Sequence, residues 1–495
     1  MTVAVLGSGP VGQTAALLLA RWGVPVVLVD EHPVRDPVGS KAICQQRDTL
    51  DVWASLGAGC LVDEGLTWTT ARTFHRDREL FSYRLPDAGS ALPPFVNLSQ
   101  ARVEEVLDEL IARQPLIDVR RGHRVTGLTQ PGRVVVTCET ADGPRRIEAD
   151  YAIACAGARG DAVRRALGQH LAGVSFRDLF LICDIRAELD GWAAERRFYF
   201  DPPWNPGRQV LIHPCPGSRF RVDWQVPAGY DLAAEETGGA LDQRIRAILG
   251  DRPYEVVWRS VYRFHTRLVE RMRVGRVLLA GDCAHLVAPF GARGLNSGVA
   301  DAENAAWKLA WVLRGHAGEE LLESYHTERH AAAVENAEVT TATMDFLVPQ
   351  DEERREHRAR VLAGGDHAEV DSGRLAEPFW YADSPLTTPD PRRPFAGRPP
   401  RGTLPPPGPG VLLPDVTVAS GRLRDLARQG FLLLTTPGVD AAGMRSAEIP
   451  VGGALGARPG EAWLVRPDAY VAAVLPGPTA PEVAVALRRG SSGRE

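Results

Sequence analysis

At 495 residues the chain is too long for one compact core, and two or three domains are expected. Its 44% hydrophobic and 24% charged residues exclude wholesale disorder. A net charge of −5, from 57 basic and 62 acidic residues, offers no field for nucleic acid or an anionic membrane. No apolar run approaches the roughly 18 residues of a membrane span. The opening Met1-Thr2-Val3-Ala4-Val5-Leu6 reads as a strand without the basic stretch of an export leader. The seven cysteines are scattered, with no CxxC pair, and are expected to be reduced thiols of a cytoplasmic protein. Lysine occurs only at Lys41 and Lys308, so arginine supplies nearly all the positive charge. Codon usage accounts for this more simply than a phosphate-binding surface does.

In chain order, Val3–Leu6 is predicted as a buried strand and Gly7-Ser8-Gly9-Pro10-Val11-Gly12 as a turn. A helix over Gln13–Trp22 ends at Gly23, and a second strand, Val26–Val29, closes at Asp30. The four together make a βαβ unit. Ser99 is placed to cap a helix running to Arg113, with Val103, Val106, Leu107, Leu110 and Ile111 on one face. From about 180 to 265 the pattern turns to alternating strands, with Pro216-Gly217-Ser218 as a hairpin turn between 208–213 and 219–226. A strand at 276–280, a helix over about 297–313 and a long helix over about 319–346 follow. Eleven of the 38 prolines fall between 384 and 415, which excludes helix or central strand there and predicts a linker. Beyond it, strands at 430–435 and 462–465 predict a small appended α/β unit.

Gly7-x-Gly9-x-x-Gly12 has the form of a dinucleotide fingerprint. Its glycines permit a tight turn, close approach of the backbone to a pyrophosphate, and close strand–helix packing. The helix N-terminus adds free N–H groups and its positive end. Asp30 can accept hydrogen bonds from ribose hydroxyls, with Glu31 as the adjacent competitor. These features suit NAD and FAD equally. The segment after Gly275 discriminates between them. Gly281-Asp282 ends an apolar strand, where a carboxylate can hold the hydroxyls of a flexible sugar chain. Pro289 opens a glycine-rich loop, Gly291-Ala292-Arg293-Gly294-Leu295-Asn296, that leads into a helix. Amides at that helix end would stabilise negative charge on a reduced isoalloxazine.

These stretches resemble the class A FAD-dependent aromatic hydroxylases, in particular the phenylpropionate, phenol and aromatic-polyketide hydroxylase branch. The resemblance rests on GSGPVG at 7–12, Asp30, Gln100, CAGARGDAVRRALG at 155–168, LLAGDCAH at 278–285, PFGARGLNSG at 289–298 and NAAWKLAWVL at 304–313. It implies a Rossmann-like α/β FAD-binding domain (1–175 and 266–385) interleaved with an antiparallel-sheet substrate domain (176–265). A proline-rich linker (386–410) and a thioredoxin-like domain (411–495) would follow; the last cysteine is Cys283, so that domain has no redox dithiol. By resemblance, Gly7, Gly9, Pro10, Val11, Gly12 and Gly157 belong to the FAD site. Lys41 and Arg47 approach the cofactor, Gln100 contacts its sugar chain, Asp282 holds the ribityl hydroxyls, and Gly294, Leu295 and Asn296 lie against the ring. The implied activity consumes NADPH or NADH and O₂ and hydroxylates a small aromatic substrate, phenolic or of polyketide type, through a flavin C4a-hydroperoxide. Baeyer–Villiger oxidation, epoxidation and simple oxidase or dehydrogenase chemistry remain open on this scaffold. A secondary-metabolite substrate and a homodimer paired through the tail are further expectations; a metal, nucleic-acid or membrane partner is not expected.

Two departures from the family pattern stand out. Ala156 occupies the position of the usual Asp before Gly157, and the chain gains one residue within Gly160-Asp161-Ala162, where Asp161 is the candidate substitute for the missing carboxylate. Arg293 replaces the usual Gln, where it would favour anionic reduced flavin or bind an acidic substrate, unless it is simply solvated. On the substrate side, His213 and Tyr262 can hydrogen-bond or deprotonate a phenol among the aromatic residues Phe198, Tyr199, Phe200, Trp204, Trp224 and Phe264.

Overall fold

The computed structural model describes residues 1–35, 42–84, 90–364, 369–371, 373, 375, 377–397 and 404–493. Lys41 lies outside them. The described residues form a mixed α/β fold of parallel and antiparallel sheets. Val3–Leu6 lies within a six-stranded sheet, flanked by Tyr151–Ala154 and Val26–Val29, with Val277–Leu279 and Ile117–Arg120 outside these; these five are parallel, and the short edge strand Arg273–Val274 pairs antiparallel with Val277–Leu279. The apolar runs of the four inner strands are buried on both faces, as helices covering a parallel sheet require, whereas Asp118 and Val119 of the edge strand Ile117–Arg120 are exposed. The helix of the βαβ unit runs Pro10–Arg21, starting three residues before the predicted Gln13, because the Gln13 amide already donates to the Gly9 carbonyl at 2.9 Å. Pro10 suits that first turn, where its missing N–H costs nothing. Ser99 caps Gln100–Ala112 through Arg102 N at 3.2 Å.

An eight-stranded sheet faces this half. It contains the predicted hairpin Gln209–Cys215 with Arg219–Val226 and the long strands Ala172–Ala187 and Tyr254–Leu268. It also recruits strands from outside 176–265: Thr70–His75 and Arg78–Arg84 at one edge, and His285–Leu286 at the other. The 70–84 segment is too polar to read as half of a buried sheet. Leu241, Ile245 and Leu249, on a helix absent from the strand-only expectation, pack under one face with Leu181, Ile212 and Trp224. The other face carries Phe180, Phe198, Phe200 and Leu211 and meets Phe290 together with Met344, Phe346 and Leu347 from the end of the long helix Glu320–Leu347.

The chain ends in a four-stranded sheet, Ser446–Glu448, Leu432–Thr435, Glu461–Val465 and Val471–Pro476, and the helix Ala480–Ser492. The proline-rich stretch has no helix or strand among its described residues, yet part of it is packed rather than solvated. Ser384 Oγ donates to Glu328 at 2.5 Å and Thr388 N donates to Ala472 O at 2.7 Å, and just before the stretch Tyr381 OH accepts from Arg329 at 2.8 Å. The tail is held against the first half by buried charge. Fully buried Asp51 takes Arg422, Arg424 and Arg428, and Glu328 takes both Arg466 and Lys308. No helix of the described residues is long and apolar enough to cross a membrane.

Candidate cofactor and substrate site

The three fingerprint glycines have different physical reasons to be glycine. Gly7 has φ 107°, and a Cβ there would overlap the Cys155 carbonyl; at Gly12 it would overlap the Gly7 carbonyl. The protein's own packing therefore requires both. At Gly9 a Cβ would meet nothing within 4 Å, so the third glycine keeps space clear beside a helix N-terminus. That is the fit a pyrophosphate needs. Val11 joins this turn to two later segments: a Cβ on Gly281 would lie 3.2 Å from its Cγ2, and one on Gly298 would lie 2.5 Å away. The fingerprint helix, the Gly281-Asp282 turn and the helix Arg293–Leu313 thus meet at one residue.

Asp30 holds the glycine turn from below, accepting from Ser8 N at 2.8 Å and from His32 N at 2.9 Å. Glu31 lies outside it and pairs with Arg159 at 3.4 Å. Gln100 accepts from Ala42 N at 3.3 Å and donates to Glu104 at 2.8 Å, while Arg47 Nε donates to Leu92 O at 3.0 Å. Gly157, with φ 66°, begins a loop drawn together by buried Arg164, which donates to Ala158 O at 2.7 Å and Asp161 at 2.6 Å. Asp161 is 72% exposed in its side chain and committed to Arg164. Beside Ala156 the chain places Gly160, where an added Cβ would come 3.1 Å from the Ala156 methyl. Two small residues are matched there in place of a carboxylate. Asp282 is exposed on the turn that follows Val277–Leu279.

Pro289 is exposed and Phe290 buried, and Gly291 and Ala292 both have positive φ, of 83° and 55°. The helix then begins at Arg293, four residues before the predicted Ser297, so Gly294, Leu295 and Asn296 form its first turn rather than a loop. The left-handed Ala292 makes this early start possible, since it turns the chain before the helix opens. Asn296 donates to Cys44 O at 3.0 Å and accepts from Gln46 N at 2.9 Å, tying the loop to the strand Cys44–Gln46. Arg293 is buried rather than solvated, its Nη1 donating to Asn336 of the long helix at 2.9 Å.

Phe290 plants this loop on the aromatic sheet face. Its ring centroid lies 5.9 Å from Phe180, 6.2 Å from Phe264 and 6.4 Å from Phe198. Tyr262, opposite Phe180 in register, and His213, opposite Arg221, share this face. Three strand spacings of roughly 4.8 Å separate them, so they cannot serve the same substituent. Burial drives the pKa of His213 well down, and Arg196 and Arg221 add to this, which leaves the ring neutral.

Residues 1–340 match the family described as FAD binding domain. The chain belongs to the FAD-dependent aromatic hydroxylases. Among similar proteins is a flavin-dependent monooxygenase of Mycobacteroides abscessus, 32% identical over 67% of this chain and 72% of that one. Another is the 3-(3-hydroxy-phenyl)propionate/3-hydroxycinnamic acid hydroxylase of Mycobacterium sp. strain JLS, 30% identical over 73% of this chain and 63% of that protein. The chain therefore spans a little under two thirds of that second relative. In fold it is similar to the flavin-dependent monooxygenase PieE, solved with FAD and substrate, at a TM-score of 0.85 and 22% identity over 99% of each chain. The cofactor of this hydroxylase is FAD.

Two elements of the hydroxylase site lay outside the sequence reading. Arg35 grips Asp108 at 2.7 Å, Glu104 at 2.6 Å and the Ser8 carbonyl at 2.8 Å, bracing the glycine turn against the helix Gln100–Ala112. Asp301, fully buried, accepts from Gly281 N at 2.9 Å, Arg329 at 2.7 Å and His285 Nε2 at 2.7 Å. Burial alone would raise its pKa, but His285, Arg329 and the Gly281 amide hold it down at about 2. The only signal for Asp301 was a polar stripe, Asp301-Asn304-Lys308, on a helix otherwise rich in small and apolar residues.

Proposed function

We propose that this hydroxylase is an NADPH- or NADH-consuming monooxygenase that inserts one oxygen atom of O₂ into a phenolic or polycyclic aromatic ring. The observation that carries this reading is Phe290. It belongs to the loop that opens the cofactor-side helix, and it is seated on Phe180, Phe264 and Phe198 of the sheet. One wall therefore serves both an isoalloxazine and an aromatic substrate.

Bound FAD supplies the redox chemistry and the activation of oxygen. Gly9 leaves room for its pyrophosphate, Asp30 and Asp282 are read as the acceptors for its hydroxyls, and the N-terminal end of the helix Arg293–Leu313 favours negative charge at the ring edge. The aromatic face excludes water and orients a flat substrate by stacking. His213, held neutral, and Tyr262 are the candidates to hold or accept a phenolic proton. The C-terminal unit is read as thioredoxin-like without redox function, serving to cover the helices that carry Arg47 and Asn296.

The test is NADPH and NADH oxidation by FAD-loaded protein, with and without a panel of phenols and aromatic polyketides. Strong stimulation by one ligand, with a product heavier by one oxygen atom, is the expected result. Rapid oxidation that yields only peroxide, whatever the ligand, would overturn the reading in favour of an oxidase.

A further inference from the structure

Two helices begin with residues assigned above to the cofactor: Arg47–Ser55 opens on Arg47, and Arg293–Leu313 carries Leu295 and Asn296 in its first turn. They are tied together twice. At the cofactor end, Asn296 accepts from the N–H of Gln46, the N-cap of the first helix, at 2.9 Å, and Gln46 Nε2 donates to Gly291 O at 3.1 Å. The second tie comes from the C-terminal unit. Buried Arg428 donates through Nη1 to Asp51 of the first helix and through Nε to Glu303 of the second, both at 2.7 Å. One planar guanidinium thus spans two carboxylates on two helices, which fixes their distance and their angle together.

Asn296 and Glu303 are two turns apart on one face of their helix, about 10 Å along its axis. Apolar packing does not close the gap between the two ties. A cavity of about 80 Å³ reaches from Gln46 and Asn296 to Glu303 and Arg428, with Val52 and Ala300 on its walls. On this side of the pair, the spacing at the far end therefore depends on the guanidinium. The strut is itself braced. Arg428 N donates to Arg424 O at 3.0 Å, and Arg424 donates to Leu413 O at 2.7 Å and to Asp48 at 2.9 Å. Asp48 follows Arg47 in the chain, so the C-terminal unit also holds the first helix beside a residue expected at the cofactor.

We propose that Arg428 is a positioning residue of the FAD site: it sets the spacing of the two cofactor-side helices, and so makes FAD affinity depend on docking of the C-terminal unit. This rests on the assignment of Arg47, Leu295 and Asn296 to the cofactor, and not on the choice of substrate. It gives a unit that contains no cysteine a role in the catalytic half. By linkage the coupling is reciprocal, and bound FAD strengthens the hold on the C-terminal unit.

The experiment measures FAD dissociation constants by fluorescence quenching, well below the melting transition, on full-length apoproteins whose far-ultraviolet circular dichroism matches the wild type. Visible circular dichroism of the bound flavin reports the surroundings of its ring. Arg428→Met should weaken FAD binding at least tenfold and change that dichroism. It should still fold, because Asp51 keeps Arg422 and Arg424, and Glu303 keeps the field of Arg21. Arg428→Lys keeps the charge but not the fork, so it should resemble Arg428→Met rather than the wild type. Arg466→Met controls for lost stability: it cuts the C-terminal unit's clamp on Glu328 of the long helix, and should lower Tm while changing the FAD constant less than twofold. Asn296→Ala opens the tie at the cofactor end and should also weaken FAD at least tenfold. Equal weakening by Arg428→Met and Arg466→Met, or full rescue by Arg428→Lys, overturns the positioning role. Unchanged affinity in Arg428→Met beside a loss in Asn296→Ala overturns the strut and leaves the site assignment standing. Unchanged affinity in both variants removes the assignment and the strut together.

Discussion

A single methyl group added at Gly9 or at Gly12 should have opposite consequences, because only one of these glycines is required by the protein itself. Gly9 has φ −76° and ψ 178°, a conformation open to alanine, and its added Cβ meets nothing within 4 Å. Gly9→Ala should therefore leave the apoprotein as stable as before, or raise it by about 0.4–1 kcal/mol through a less flexible unfolded chain. The same methyl stands where a phosphate must approach the helix amides. Losing one charge-assisted hydrogen bond there costs about 1.5–3 kcal/mol, a ten- to more than hundredfold weakening of FAD binding. At Gly12 the methyl would overlap the Gly7 carbonyl, so backbone must move. Overpacking of about 3 kcal/mol, offset by about 1 kcal/mol of helix propensity, leaves the apoprotein about 2 kcal/mol less stable. Spread over the unfolding entropy of a chain this size, about 1 kcal/mol per degree, that lowers Tm by about 2 °C. The assay is the melting temperature of both apoproteins together with FAD affinity by fluorescence quenching. Gly9→Ala that binds FAD like the wild type, or that melts early as apoprotein, would refute the argument.

Further outcomes follow from the buried charges and the aromatic bed. Asp51→Asn strips the shared partner from Arg422, Arg424 and Arg428, although Arg424 keeps Asp48 and Arg428 keeps Glu303; a loss of about 3 kcal/mol in urea unfolding at neutral pH is expected. Although burial alone would raise it, the three arginines hold the Asp51 carboxyl at about 2 against an ordinary 3.8, so it stabilises the fold above about pH 4 and loses that effect as pH falls. The gap between wild type and variant should close between about pH 4 and pH 2; a gap constant across that window would contradict the ion-pair account. Asp301→Asn leaves acceptors for Gly281 N and His285 but none of the charge that Arg329 needs, so FAD affinity by fluorescence quenching should fall at least tenfold along with Tm. Phe290→Ala should retain FAD and lose at least tenfold of the ligand-stimulated NAD(P)H oxidation, because it removes the shared wall and leaves the glycine turn untouched.

The parts of the site that could be read from the sequence are those whose causes lie next to each other in the chain. Strand, glycine turn and helix at 3–21 form one local unit, and the run from Gly281 to Leu313 is nearly so; even there the helix begins four residues early, because a positive φ at Ala292 has no sequence signature. The residues that escaped have distant partners. Asp108 is 73 positions from Arg35, and the strands Thr70–Arg84 pair with a sheet more than 100 residues downstream. Composition hid the rest. The arginine excess looked like codon usage, and Arg424 and Arg428, one helical turn apart, have the spacing of a solvated basic face. What turns that face into a clamp is the fork geometry of guanidinium groups closing on a carboxylate removed from water. A basic stripe can be buried only where the opposing wall supplies the countercharge, and Asp51 supplies it from 373 residues away in the chain. The same test decides for the whole molecule which of its many arginines are structural: those meeting Asp51, Asp301 and Glu328 are fixed by buried carboxylates, and no pattern of arginines alone could have told them from the rest.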